Sequence, residues 1–251
     1  MINFPHFDIA YQTDAGCKRG GEPNQDRVLV LPADDARRQP PLLVVADGMG
    51  GHVGGAVASQ KVVDAVGDHY RQAKPGRDPL MLLRDCLEAA LEALRLHARM
   101  NPELEAMGST VVAAILEAGH AAIANIGDSR AYLIHEREMT QVSFDHSLVG
   151  EQVRLKIITP LEARDHPRRN RLTQALSPRR TTIKPHICQV PFVKGDTLVL
   201  CSDGLWGVIP ETLLQKVATD LTPGEAVKEL VQLAIDSGGP DNITVILARH
   251  K

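Results

Sequence analysis

The stretch 42-LLVVADGMGGH-52 runs five apolar residues into Asp47 and then into a glycine-rich turn. A short apolar run rich in Val and Leu and closed by Gly reads as a buried strand with a turn at its end. The pattern recurs in 121-AAIANIGDSR-130 and 197-TLVLCSDGLW-206, and inverted in 238-GGPDNITVIL-247. Three runs precede their Asp and one follows it, as expected of antiparallel neighbours that share one sheet rim. Asp47, Asp128, Asp203 and Asp241 would then meet at that rim, where bare carboxylates repel one another by roughly several kcal/mol unless cations sit between them. All-oxygen ligands suit hard divalent ions, Mg²⁺ or Mn²⁺, better than zinc.

Composition sets outer bounds. At 251 residues the chain is long enough for one large domain with a substantial core, and two small ones stay open. The apolar fraction is 43%, charged residues make up 24% and the net charge is −3, so no global basic field points to nucleic acid. Aromatics at 3% supply no base-stacking platform. Cys17, Cys86, Cys188 and Cys201 form no C-x-x-C pair and no zinc-like spacing, which favours reduced cysteines in a cytoplasmic setting. The opening residues lack the cationic start and apolar core of a signal peptide, and no run of ~18 apolar residues exists to span a membrane.

Outward from Asp47, residues 7–13 and 27–31 read as strands, followed by a helix over 56–70. The spacing of Leu80, Leu83, Leu87, Leu91 and Leu94 predicts an amphipathic helix over 79–100. Strands are expected at 109–116, 120–125, 130–135 and 138–143, with 117-EAG-119 and 136-ER-137 as hairpin turns. A polar, partly helical insertion covers about 146–180. Strands at 186–193 and 197–201, helices at 210–220 and 223–236, and a strand at 242–249 complete the chain. Strand runs interleaved with helix pairs predict an α+β layered fold, and the absence of a linker favours one domain over residues 1–251.

Glycine beside a ligating carboxylate lets a backbone carbonyl turn toward a cation, which draws attention to Gly48 after Asp47. Two divalent ions about 3.5–4 Å apart, bridged by a carboxylate and a water, generate hydroxide at neutral pH and suit in-line attack on phosphorus. The residues alone therefore point to a multi-metal hydrolytic centre.

The segments 13-TDAGCKRGGEPNQD-26, 47-DGMGGH-52, 107-MGST-110, 127-GDSR-130, 202-SDGL-205 and 240-PDNITV-245 occur in that order. Together they resemble the metal-dependent Ser/Thr protein phosphatases, the PPM or type 2C class, in their bacterial form, over about residues 8 to 249. That resemblance implies a four-layer αββα sandwich, two antiparallel β-sheets flanked by helix pairs, with the metals in a cleft at one end. It implies Asp47 as the carboxylate bridging two Mn²⁺ or Mg²⁺ ions, with the Gly48 carbonyl as a further ligand. Asp203 and Asp241 would hold the first metal, and Asp128 with Asp203 a third, weaker one. Asp26 would act through water or as support behind the ligands. Gln25 stands where many relatives carry Glu, removing one negative charge near the second metal. Arg19 is the candidate phosphate anchor, since a guanidinium grips phosphate through paired hydrogen bonds. The family spacing is lengthened here by two residues within 20-GGEP-23, and Lys18 is an alternative. His52 could protonate the leaving oxygen, although a structural His or a metal-bound water serves the pattern equally.

The stretch 164-RDHPRRNRLTQALSPRR-180 contains six arginines and matches the family's flap. It reads either as a basic lid that contacts substrate through His166 and Arg168 or as a solvated polar face. The implied activity is hydrolysis of phosphoserine and phosphothreonine in proteins, opposite a Ser/Thr kinase, by a monomer without nucleic-acid or membrane partners. Three other readings remain: a phosphatase-like binding module without turnover, a nucleotide-binding enzyme, and a phosphatase acting on an anti-sigma antagonist. The second lacks any phosphate-loop spacing around DGMGGHVGG, and the third lacks a visible sensor domain.

Overall fold

A computed structural model describes residues 2–3, 6–17, 23–34 and 36–251, with side-chain surroundings for all of these except 2, 3 and 51–53. In chain order the strands and helices are β1 (Ile2–Asn3), β2 (Phe7–Asp14), β3 (Asp26–Leu31), β4 (Leu42–Met49), α1 (Gly51–Gln72) and α2 (Pro79–Met100). Next come β5 (Gly108–Ser109), β6 (Val111–Glu117), β7 (Gly119–Ile126), β8 (Arg130–His135) and β9 (Glu138–Gln141). Helices α3 (Leu148–Arg154) and α4 (Pro160–Arg164) precede β10 (His186–Phe192) and β11 (Thr197–Cys201). The chain closes with α5 (Asp203–Trp206), α6 (Glu211–Asp220), α7 (Pro223–Asp236) and β12 (Ile243–His250).

The strands make two antiparallel sheets, ordered β1-β2-β12-β11-β8-β9 and β10-β7-β6-β4-β3, with β5 paired to β4. Side-chain alternation explains why the central strands are apolar throughout. On β4, Leu42, Val44 and Ala46 face α1 and α2, whereas Leu43 and Val45 face the opposite sheet. On β12, Ile243, Val245 and Leu247 pack against α6 and α7, whereas Ile246 and Ala248 join the layer between the sheets. Each central strand is buried on both faces, so its period-2 signal disappears into a continuous run. Three apolar layers result, and the order helix, sheet, sheet, helix is the expected αββα sandwich.

Helix α2 spans the expected 79–100. Asp78 caps it by accepting from the Met81 N–H (2.8 Å), and Pro79 occupies the first turn, where its missing N–H costs nothing. Leu83, Leu87, Leu91 and Leu94 are buried, while Leu80 packs at the edge. Helix α1 begins at Gly51 rather than 56. The glycines that read as loop include Gly55, which sits inside the helix because its backbone meets Gly48: a Cβ on Gly55 would lie 2.8 Å from the Gly48 carbonyl oxygen and 2.1 Å from Gln25 Oε1. The expected strand 109–116 divides into β5 and β6 at Thr110, whose N–H keeps its bond to the Asp47 carbonyl (2.8 Å) while the Asp47 N–H turns to the Thr110 hydroxyl (3.3 Å). Among the described residues no helix is long and apolar enough to cross a membrane.

The layer between the sheets holds the two rims in register. Replacing fully buried Ile246 by Ala is expected to lower stability by about 2–5 kcal/mol. Met100→Ala, at a residue 76% exposed, is expected to stay within roughly 0.5 kcal/mol of wild type. Urea denaturation of the two variants checks the contrast.

Candidate active site at the sheet rim

Asp26 opens β3 and stands directly opposite Asp47 on β4. Asp128 follows β7, which runs in the same sense as β4 because both pair antiparallel with β6. Asp203 follows β11, and Asp241 precedes its antiparallel neighbour β12. The rim is thus built from two sheets rather than the single one expected from the strand pattern: three carboxylates come from one sheet and two from the other.

Neutral side chains stitch these ends together. The Ser202 hydroxyl donates to Asp26 Oδ2 (2.7 Å) and accepts from the Thr244 N–H (3.0 Å). Asn242 accepts from the Gln25 N–H (2.9 Å) and donates to the Ala15 carbonyl (2.8 Å). Asn24 accepts from the Asp26 N–H (2.9 Å) and donates to Thr13 Oγ1 (2.8 Å), which in turn bonds Thr244 Oγ1 (2.8 Å). On the other flank Ser109 Oγ donates to the Asp47 carbonyl (3.0 Å), and Thr110 and Ser129 share a hydroxyl hydrogen bond (2.7 Å). Short helix α5 lies directly on the Asp241 turn: a Cβ at Gly204 would fall 1.9 Å from the Asn242 carbonyl oxygen, so only glycine permits this approach.

Charge accumulates where these elements meet. Asp26 and Asp128 are buried, while Asp47, Asp203 and Asp241 keep partial exposure at the mouth. Loss of solvent, then the charges of Asp26, Asp203, Asp128 and Asp241, hold the Asp47 carboxyl well above the usual carboxylate range. Asp203 is raised likewise by burial and by Asp128, Asp241 and Asp26. Burial and Asp145 push Asp128 up to about 7. Burial raises Asp26 to about 6 against hydrogen bonds from Thr244 and Ser202. Asp26 Oδ1 and Asp203 Oδ1 are buried oxygens that receive no hydrogen bond.

These observations fit a hard divalent cation. The donors are all oxygen, two of their atoms lack partners, and the mutual charge calls for a counter-ion. Among the described residues no three His, Cys, Asp or Glu side chains form a ready-made cage. A magnesium-type site needs none, since such ions keep several waters and take only one or two carboxylates each.

A family model for protein phosphatase 2C matches residues 14–242. The chain belongs to the protein phosphatase 2C family. It is 36% identical to the serine/threonine phosphatase stp of Listeria monocytogenes over 96% of this chain and 94% of that protein. The solved structure of the Mycobacterium tuberculosis serine/threonine phosphatase PstP/Ppp superposes with a TM-score of 0.87 at 34% identity, covering 97% of this chain and 98% of that one. A structure of the catalytic domain of PstP with two manganese ions gives a TM-score of 0.84 at 32% identity, covering 98% of each chain.

Other expected site residues divide. Arg19 and Lys18 lie outside the described residues, and His52 is the second residue of α1 with its side chain outside them. Gln25 is buried under Gly55, its carbonyl receiving the Ser59 hydroxyl (2.5 Å) and the Gly48 N–H (3.1 Å). His166 accepts from the Arg168 N–H (3.1 Å) in a local turn, with Arg168 exposed.

Several residues inside the quoted motifs had no assigned role, and the fold supplies one. Ser202 and Asn242 are the cross-sheet links just described. The Trp206 indole donates to the Asp128 carbonyl (2.9 Å), and the Arg130 guanidinium lies 3.6 Å from the centre of the Trp206 ring. Arg130 also grips Asp145 through Nε and a terminal nitrogen (3.1 and 2.7 Å). Hydroxyl and amide residues flanking each Asp were the available signal, since such side chains commonly fix turns.

Raised carboxyl pKa values make the metal-free fold more stable when protonated: that stability is complete below the ordinary carboxylate range and is lost as pH rises through about 6 to 7. In chelator-treated protein, Asp128→Asn removes a charge that is unfavourable only when ionised. The variant is expected to melt several degrees above wild type at pH 8, on the order of 2 kcal/mol, with the gap closing below pH 6. Thermal denaturation across that range measures the difference, and an equal gap at pH 5 and pH 8 would contradict the assignment.

Proposed function

We propose that this chain is a metal-dependent hydrolase of phosphoserine and phosphothreonine in proteins. The observation that carries the reading is the gathering of five carboxylates from five separate segments at one rim, with Asp26 Oδ1 and Asp203 Oδ1 lacking partners. The manganese-bound relative supports the choice of cation chemistry. Asp47 would serve both core ions with the Gly48 carbonyl as a further ligand, Asp203 and Asp241 would hold the first, and Asp128 with Asp203 a third. Asp26 would act through water or as support behind the ligands. Mn²⁺ or Mg²⁺ bound there would supply charge to neutralise phosphoryl oxygens and acidity to activate water.

The chain's own residues supply position. Ser109 and Thr110 pin the Asp47 backbone and so fix the point at which its side chain leaves the strand. Ser202 orients Asp26 through Oδ2 and leaves Oδ1 available. Trp206 and Arg130 fix the loop that carries Asp128. Arg19 is assigned to anchor the phosphate and His52 to deliver a proton to the departing serine or threonine oxygen. Direct attack by water needs no nucleophilic side chain. Buried Cys86 and Cys201, whose thiols burial pushes up to about 12, are unsuited to that role.

Phosphorylated proteins are the substrate class, and a Ser/Thr kinase is the natural counterpart. Four free cysteines favour a reducing, cytoplasmic compartment, and a monomer is the assembly proposed. The reading of a module without turnover finds no support, because each carboxylate expected of a working centre is present at the rim. Asp203→Asn, nearly isosteric, is expected to lower manganese-dependent hydrolysis of a phosphothreonine peptide by at least about 100-fold, with circular dichroism unchanged. Full turnover by the variant would overturn the proposal.

A further inference from the structure

Beside the rim lies a groove of about 440 Å³ that none of the catalytic assignments uses. Its floor is apolar, formed by Met49, Leu172 and Ala175, and Gln174, Arg179 and Arg180 give it a polar, cationic wall. Met49 ends β4 two residues beyond Asp47, so the floor continues directly from the candidate centre. Apart from Met49, the lining belongs to the returning stem of the segment that begins at 146. Leu176 joins Ser109 by reciprocal backbone hydrogen bonds (2.8 and 2.9 Å), and Ser109 in turn holds the Asp47 carbonyl (3.0 Å). Groove and centre are therefore parts of one hydrogen-bonded unit, and a chain placing a phosphorylated residue at the rim has to leave along this wall or away from it.

The wall is organised rather than merely charged. The Arg180 N–H donates to the Ser177 carbonyl (3.0 Å), closing a tight turn, and its guanidinium donates to the Thr173 carbonyl (2.6 Å). That side chain is thereby held across the stem. Arg179 is exposed, and its ionic neighbour among the described residues is Glu105 at 3.9 Å, also exposed. A solvent-screened pair at that distance contributes little and is easily exchanged for a better anion. An apolar floor with a guanidinium wall matches an extended peptide whose apolar side chain lies down while an acidic one turns to the arginines.

We propose that this groove binds the substrate polypeptide next to its phosphorylated residue and selects for an Asp or Glu there, with Arg179 as the specificity-determining side chain and Arg180 shaping the wall. The inference rests on the phosphatase reading above and assigns recognition to the stem at 172–180, rather than to His166 and Arg168, which form a separate turn. Arg179 and Arg180 are the cationic side chains that line the groove, so the stem is the place where an acidic flank is favoured.

The test uses the intact chain with manganese and phosphothreonine peptides whose neighbouring residues are acidic, neutral or basic. Wild type is expected to show about tenfold higher kcat/KM for the acidic than for the neutral peptide, carried mainly by KM. Arg179→Glu is expected to abolish that ratio and to favour the basic peptide, and Arg179→Lys to retain most of it. Arg180→Gln, which removes the bond to Thr173, is expected to reduce the ratio less than charge reversal at 179. Equal rates on all three peptides, or an acidic preference that survives Arg179→Glu, would overturn the groove assignment while leaving the phosphatase reading intact. Absence of hydrolysis on every peptide would instead overturn the phosphatase reading.

Discussion

The structure turns on a repulsion that the fold enforces. Five carboxylates are brought to one edge, and most of the described groups that hold them there are neutral: hydroxyls of Thr13, Ser109, Thr110 and Ser202, amides of Asn24 and Asn242, and backbone N–H groups. Hydrogen bonds of that kind fix position but cancel no charge. A lysine or arginine in the same place would relieve the repulsion and leave nothing for a cation to do. Of the guanidiniums nearest in sequence to the rim, Arg27 donates to the Asn24 and Asp26 carbonyls (both 2.7 Å) and to Gln60, and Arg130 is committed to Asp145 and stacked on Trp206. Geometry is closely specified while burial and mutual charge still hold the carboxyls of Asp26, Asp47, Asp128 and Asp203 above the ordinary range, a combination that suits a cation site better than a structural salt-bridge cluster.

Such strain needs a rigid frame. The three apolar layers bury both faces of β4, β6, β11 and β12, so the strand ends carrying the aspartates cannot relax apart without exposing core. The cross-sheet hydrogen bonds then set the final spacing. Core packing and hydroxyl network act at different scales: the first fixes which residues arrive at the rim, the second fixes how their backbones are turned.

Sequence patterning reached the first scale well and the second poorly. Asp47, Asp128, Asp203 and Asp241 were legible because each sits where an apolar run stops, and burial of both strand faces makes those runs long and uniform. The partition of the rim between two sheets was not legible from runs alone, since a strand end looks the same in either sheet; family resemblance supplied the two-sheet sandwich, and the structure assigns each aspartate to its sheet. Helix α1 starts earlier than expected because Gly55 is a packing device, and single-residue spacing cannot separate that use of glycine from a loop. Ser202, Asn242 and Trp206 lay inside recognised motifs, but their partners are Asp26, Gln25 and Asp128, between 78 and 217 positions away along the chain. Links of that range leave no periodicity to read.

The surface beside the rim follows from the same electrostatics. A phosphate monoester carries negative charge, so a bare aspartate cluster repels the very group it would act on. Bound cations reverse that sign locally, but only within the few ångströms where phosphate meets metal, because exposed charges are screened over about 10 Å. A polypeptide substrate extends well beyond that radius. Any preference for what flanks the phosphorylated residue must therefore come from fixed protein charges outside the cation's reach. The stem that carries Arg179 and Arg180 is tied through Leu176 and Ser109 to Asp47, so its cationic wall is held at a set distance from the chemistry. Metal and arginine then act in complementary ways. The metal makes the rim receptive to phosphate, and the arginines decide which phosphorylated chains stay long enough to react.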